Sequence, residues 1–161
     1  MQKKYSLCAS KNHQHCIDDA VAAAQQLCEQ QGVRLTPLRK RVLMLVWQTH
    51  QPIGAYDILH QLRNEDGRPA APPTVYRALD FLLENGLIHR IASLNAYIGC
   101  NAPEHQHHAQ FLICRMCRFT RELSCSAIDS AIERMTDEIG FAVESQVIEI
   151  SGLCAPCQAT L

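Results

Sequence analysis

PTVYRALDFLLENGLIHRIASLNAYIG, residues 73–99, settles what kind of domain the first half of this chain builds. Its first half repeats apolar residues at helical spacing: Val75, Leu79, Leu82 and Leu83 make one stripe, while Thr74, Tyr76, Arg77, Asp80 and Glu84 lie largely on other faces. Pro72 and Pro73 open this helix and Asn85-Gly86 closes it. Its second half reads as a hairpin, with Leu87 to Ser93 and Ala96 to Gly99 joined by a turn at Leu94-Asn95. Helices followed directly by a hairpin make a winged helix-turn-helix. A helical bundle with a β-flap and no nucleic-acid contact fits the same pattern. An arginine beside an aromatic near a helix N-terminus, here Tyr76-Arg77, can reach guanine edges and thymine methyls in a major groove.

Upstream, the spacing predicts three more helices. Ile17 to about Gln31 carries Ile17, Val21, Ala24 and Leu27/Cys28 on one face, has Asp18 and Asp19 in its first turn, and stops at Gly32. Thr36-Pro37 reads as an N-cap followed by proline at the first helical position, with Leu38, Val42, Leu45, Val46 and Thr49 as a stripe to about His50. Arg34, Arg39, Lys40 and Arg41 line its solvent side; a solvated face is the ordinary reading of such charges, and phosphate contact is the sharper one. Ala55 to Asn64 is a short third helix burying Ile58, Leu59 and Leu62. Residues 1–16 have no period and read as a loose arm, in which His13, His15 and Cys16 are an incidental group or an auxiliary ligand set.

Composition bounds the function classes. With 161 residues, 47% hydrophobic and 19% charged, the chain reads as a globular protein with two small cores. Up to Gly99 there are 11 Lys+Arg against 8 Asp+Glu, about +3, and from Cys100 onward 4 against 8, about -4. That asymmetry suits an anion partner for the first half. No run of 18 apolar residues exists and the first fifteen residues lack a signal peptide's apolar core, so a cytoplasmic protein with no membrane partner is expected. In a reducing compartment, nine cysteines including two Cys-x-x-Cys pairs point to metal or redox chemistry rather than disulfides.

The metal signal is concentrated in CNAPEHQHHAQFLICRMC, residues 100–117. Pro103 and its polar neighbours mark a linker, dividing the chain into 1–99 and 100–161. Beyond it, Ala109 to Ile113 and Phe119 to Leu123 read as strands around a Cys114-Arg-Met-Cys117 turn. Ser126 to Ile139 reads as a helix capped by Ser124 or Ser126, with Ile128, Ile132, Met135 and Ile139 on one face, and Phe141 to Ile150 as a last strand. Cys114, Cys117, Cys154 and Cys157 offer four thiolates from two tight turns, a tetrahedral shell that suits structural zinc. The competing thioredoxin-type redox pair normally opens a helix, and neither pair here is expected to do so. A second, less regular set is His89, Cys100, His107 or a neighbouring histidine, and Glu122. Each is unremarkable alone; together they offer two imidazoles, a thiolate and a carboxylate drawn from both sides of the linker.

Arg34-Leu-Thr-Pro-x-Arg39-x-x-Val42-Leu43, Pro73-Thr74-Val75-Tyr76-Arg77-Ala78-Leu79 and a histidine-rich linker before Cys-x-x-Cys resemble the ferric uptake regulator family of bacterial metal-dependent repressors, from about residue 20 to the end. Cys100 and the closing Ser-Gly-Leu-Cys-Ala-Pro-Cys are similar to its zinc-sensing branch. The resemblance implies an α/β (α+β) chain: an N-terminal winged helix-turn-helix domain and a small C-terminal α/β dimerisation domain stapled by a four-cysteine zinc site. It also implies a homodimer that binds palindromic double-stranded operator DNA when loaded with two zinc ions per chain and represses zinc-uptake genes, with no small-molecule substrate. By position, Cys114, Cys117, Cys154 and Cys157 become the structural ligands and His89, Cys100, His107 and Glu122 the regulatory ones, with His105 and His108 as alternatives to His107. Tyr76 and Arg77 become DNA readers, with Thr74, Arg34 and Arg39 as further candidate contacts. A thiolate in the regulatory shell favours zinc over ferrous iron. One departure is Arg118, where the family has glycine after the second knuckle cysteine. The rivals are another metal or peroxide sensor of the same family, a zinc-dependent hydrolytic enzyme, and a thiol switch using Cys8, Cys16, Cys28 or Cys125.

Overall fold

The structure, a computed structural model, describes residues 14–49, 51–66, 71–104 and 108–160. Lys3, Lys4, Cys8, His13, His105 and His107 lie outside the described residues. Helix α1 spans Gln14–Gln30, starting three residues before the expected Ile17. His15 and Cys16 therefore belong to its first turn, and Asp18 and Asp19 follow that turn rather than forming it. Nothing between residues 14 and 17 breaks a helix, and Gln14 Nε2 donates to Asp18 Oδ1 at 3.0 Å along the same face. At the other end, Gly32 adopts φ +67°, which lets the Val33 N–H fold back onto the Cys28 carbonyl at 2.9 Å.

Helix α2 (Pro37–Trp47) is capped as expected: Thr36 is extended and its hydroxyl accepts from the Arg39 N–H at 3.4 Å. Val42, Leu43, Leu45 and Val46 are its buried residues; Thr49, expected in that stripe, lies exposed beyond the helix end. Helices α3 (Ala55–Asp66) and α4 (Pro72–Glu84) form the helix-turn-helix pair, and α4 buries Val75, Ala78, Leu79 and Leu82. These stripes meet those of α1 and α2 in one core, closed by Leu87, Ile88 and Tyr97 from the hairpin.

The hairpin pairs β1 (Ile88–Ile91) antiparallel to β2 (Ala96–Gly99). Its connection is longer than a two-residue turn: Ala92–Leu94 make one 3-10 turn and Asn95 takes the left-handed conformation at φ 46°. Asparagine tolerates that conformation better than most residues. Ile53 adds a third edge, exchanging backbone hydrogen bonds of 2.9 and 2.8 Å with Tyr97. This is a winged helix-turn-helix. At the base of the wing, Gly99 admits the Trp47 ring, since a Cβ there would fall 2.2 Å from Trp47 Cε2.

The second sheet has the order β4-β3-β5, with β3 (Ala109–Cys114) antiparallel to β4 (Thr120–Leu123) and parallel to β5 (Val147–Gly152). The last strand is shorter and later than the expected Phe141 to Ile150, because Phe141–Gln146 run as irregular chain and only Val147 onward reaches the β3 ladder. Helix α5 spans Ser126–Glu138; its N-cap is Cys125 rather than Ser124 or Ser126, with no side-chain cap bond. None of its residues is fully buried. The expected stripe is split: Ile128 and Ile132 are half-buried, whereas Met135 and Ile139 are 68% and 76% exposed. A short helix, α6 (Ala155–Gln158), closes the described chain. Between the halves, Ile91 and Ile98 of the wing bury against Ala109, Phe111 and Ile113 of β3, so an apolar seam crosses the linker.

Candidate metal centres

Two donor clusters stand out among the described residues. In the first, the sulfurs of Cys114, Cys117, Cys154 and Cys157 all lie within 4.8 Å of one another. Two turns bring them together. Cys114 ends β3 and Cys117 closes the following turn, where the Arg118 N–H returns to the Cys114 carbonyl at 2.9 Å. Cys154 and Cys157 flank and enter α6, with Cys154 as its N-cap. The second pair therefore does open a short helix, contrary to expectation, and helix placement does not separate it from a redox pair. Convergence does: a dithiol switch needs two sulfurs, and here four from opposite ends of the domain share one point.

The local electrostatics suit a metal. The Cys117 and Cys154 N–H groups are the main influences that hold the Cys114 thiol down to about 6, and the Cys154 N–H donates to Cys114 Sγ at 3.4 Å. Cys157 is pushed up to about 12, first by hydrogen bonding with the Cys154 thiol and then by burial. One thiolate is thus prepared while other protons remain for a cation to displace. The knuckle also reaches the winged-helix half, because Gln51 Nε2 donates to the Cys117 carbonyl at 2.8 Å.

In the second cluster, donor atoms of His89, Cys100 and Glu122 lie within 4.8 Å of one another. His89 comes from β1, Cys100 follows β2, and Glu122 comes from β4. His89 Nε2 is 2.8 Å from Glu122 Oε1, and the His89 ring meets the edge of Phe111 with centroids 5.4 Å apart. The other Glu122 oxygen accepts from the Asn101 N–H at 3.0 Å, which fixes the carboxylate. Burial, followed by the Glu122 charge, pushes the Cys100 thiol up to about 12. One imidazole, one sulfur and one carboxylate converging from both halves fit a borderline-soft divalent cation. Of the candidate histidines, His107 and His105 lie outside the described residues, and His108 is exposed and not part of the cluster.

On the winged-helix half, Thr74, Tyr76 and Arg77 are exposed on the first turns of α4, and Arg34 is exposed before α2. Arg39 is half-buried: its guanidinium lies 3.5 Å from the centre of the Phe81 ring and donates to the Arg34 carbonyl at 2.6 Å. One exposed aromatic on this half was not singled out from the sequence, Tyr56. It is 77% exposed at the start of α3 and lines, with Tyr76, a depression of about 160 Å³ on the helix-turn-helix surface. Its exposure is decided by the packing of α3 and leaves no period in the sequence.

Residues 30–151 match the ferric uptake regulator family. The zinc uptake regulation protein of Escherichia coli strain K12 is 40% identical over 140 residues, covering 86% of this chain and 81% of that protein. A solved zinc uptake regulator complexed with zinc and DNA superposes at a TM-score of 0.84 with 39% identity, over 89% of this chain and 96% of that one. The crystal structure of holo XcZur gives 0.81 with 41% identity, over 88% and 99%. Motifs, fold and converging donors agree with this likeness, and the chain belongs to the ferric uptake regulator family.

Proposed function

We propose that this chain is a zinc-responsive transcriptional repressor, acting in the cytoplasm, that binds palindromic operator DNA as a zinc-loaded homodimer and represses zinc-uptake genes. It works through two parts, a DNA-binding unit of residues 1–99 and a dimerisation unit of 100–161. Two ions per chain are assigned. Cys114, Cys117, Cys154 and Cys157 hold a structural one; His89, Cys100 and Glu122, completed by His107 from the linker, hold the regulatory one. Zinc, when bound, supplies the charge that lets a thiolate and a carboxylate share one small site.

The observation that carries this reading is the origin of the regulatory donors. His89 and Cys100 stand on the wing and Glu122 on the C-terminal sheet, so satisfying all three requires the two halves to hold one arrangement. In that arrangement α4 offers Thr74, Tyr76 and Arg77, with Tyr56 beside them, to a major groove, while Arg34 and Arg39 serve as phosphate contacts. Linkage follows: DNA must tighten zinc binding by the factor by which zinc tightens DNA binding, typically about 5- to 150-fold. The exposed apolar side chains Met135 and Ile139, four residues apart at the C-terminal end of α5, support burial against a second copy. The family relatives at 40% identity support a regulator rather than a hydrolytic enzyme.

Operator affinity measured against buffered free zinc, with bound zinc counted per chain, tests the proposal. Cys100→Ser should need far more zinc for the same occupancy while keeping the four-cysteine ion. Wild-type behaviour in that variant would remove the regulatory site.

A further inference from the structure

One transverse row of the C-terminal sheet holds two carboxylates. Phe111 on β3 pairs with Glu122 on β4 and with Glu149 on β5, which places all three side chains on the face turned toward the wing. Glu122 is committed to the wing's base through His89 and the Asn101 N–H. Glu149 grips the wing's tip: its Oε1 accepts from the Ala92 N–H at 2.6 Å and its Oε2 from the Ser93 N–H at 3.1 Å. These partners are 57 and 56 residues distant in sequence, so the bonds serve no local turn. Both amides lie past the end of β1 and have no place in its ladder. Burial would raise the Glu149 carboxyl, but the Ser93 hydroxyl and the two N–H groups together hold it below the usual glutamate range, so it is charged at neutral pH.

We propose that Glu149 is a positioning residue that clasps the wing to the C-terminal sheet without any metal, and thereby sets how much free zinc the repressor needs. The inference rests on the zinc-responsive reading above. Glu149 lies outside both donor clusters, and its bonds to the Ala92 and Ser93 N–H groups are made without any metal ligand. Where a binding-competent arrangement is only partly populated, apparent affinity equals intrinsic affinity scaled by that population. The clasp raises the population. Removing it lowers apparent zinc affinity by the same factor, and saturating zinc restores the arrangement.

Full-length Glu149→Ala and Glu149→Gln proteins, assayed for operator binding by fluorescence anisotropy against buffered free zinc, test this. We expect the half-saturating zinc concentration to rise roughly three- to tenfold in Glu149→Ala, with operator affinity at saturating zinc within about twofold of wild type. Glu149→Gln should fall between, since one side-chain oxygen can still accept. An unshifted zinc threshold, or a loss of operator affinity that excess zinc does not rescue, would overturn the clasp. Hydrogen exchange at the Ala92 and Ser93 amides after chelator treatment reads the clasp without DNA. It should accelerate in Glu149→Ala, and unchanged exchange overturns the clasp. If wild-type protein lacked zinc-dependent operator binding, the repressor reading itself would fail, and the exchange measurement would still decide whether Glu149 holds the wing.

Discussion

Cys100 shows how a single side chain is prepared by its surroundings. Only 3% exposed and facing a carboxylate, its thiol is pushed up to about 12, so it keeps its proton at neutral pH while the regulatory donors hold no cation. A cation must displace that proton. Zinc binding at this cluster should therefore release about one proton from Cys100 between pH 7 and 8, and apparent affinity should fall about tenfold for each unit the pH drops, because metal and proton compete for one sulfur. Calorimetry in two buffers of different ionisation enthalpy measures the release; none at all would remove Cys100 from the shell. At Arg77 the question is direct readout. Exposed on the first turns of α4, it should cost ~1–3 kcal/mol of operator binding when changed to alanine, and little on scrambled DNA, if it makes a bidentate base contact. Competition binding on both sequences separates this from phosphate contact, which would weaken both equally. Tyr76 and Arg77 were legible in sequence because a stripe of four apolar residues leaves them on the outer face. Tyr56 was not, because a lone tyrosine at a helix start has no periodic partner to mark it as exposed.

Among the elements, the cysteine knuckle carries visible strain. Arg118 adopts φ 58°, so the backbone keeps the left-handed turn that glycine would occupy at lower cost, and the exposed side chain gives nothing obvious in return. A left-handed non-glycine residue costs about 1–2 kcal/mol, partly offset by the extra unfolded-state entropy of glycine. Arg118→Gly should consequently stabilise zinc-loaded protein by ~0.5–1 kcal/mol, read from its thermal midpoint with the four-cysteine zinc retained. A lower midpoint would mean that the Arg118 side chain makes a compensating contact. The C-terminal strand teaches the complementary point. Phe141, Val143 and Val147 fall on one face of an extended chain, interrupted by Ser145, yet only the chain from Val147 onward meets β3. Alternation reports which residues are apolar on one face; hydrogen-bonding to a neighbour depends on where α5 ends.

At the scale of the whole molecule, α5 presents a face that none of the described residues covers fully, with Met135 and Ile139 mostly exposed and no residue of α5 fully buried. A small domain of this kind draws stability from a staple and from a second copy. Cys114→Ser should cost both, since metal binding at a four-sulfur site is folding free energy. Sedimentation should show monomer or aggregate, with the structural zinc lost; a folded dimer with full zinc content would refute the staple. The helices of the first half, the wing and the two thiol pairs were all readable from the chain alone, because periodicity, caps and tight turns act between residues a few positions apart. That Cys154 begins a helix was not, since this depends on how the chain leaves β5. Nor could residue order alone reveal that His89, Cys100 and Glu122 meet, or that Glu122, Phe111 and Glu149 share one row beneath the wing; folding in three dimensions settled both. Those meetings depend on strand register and on an apolar seam between distant segments, and neither leaves a local period in the chain.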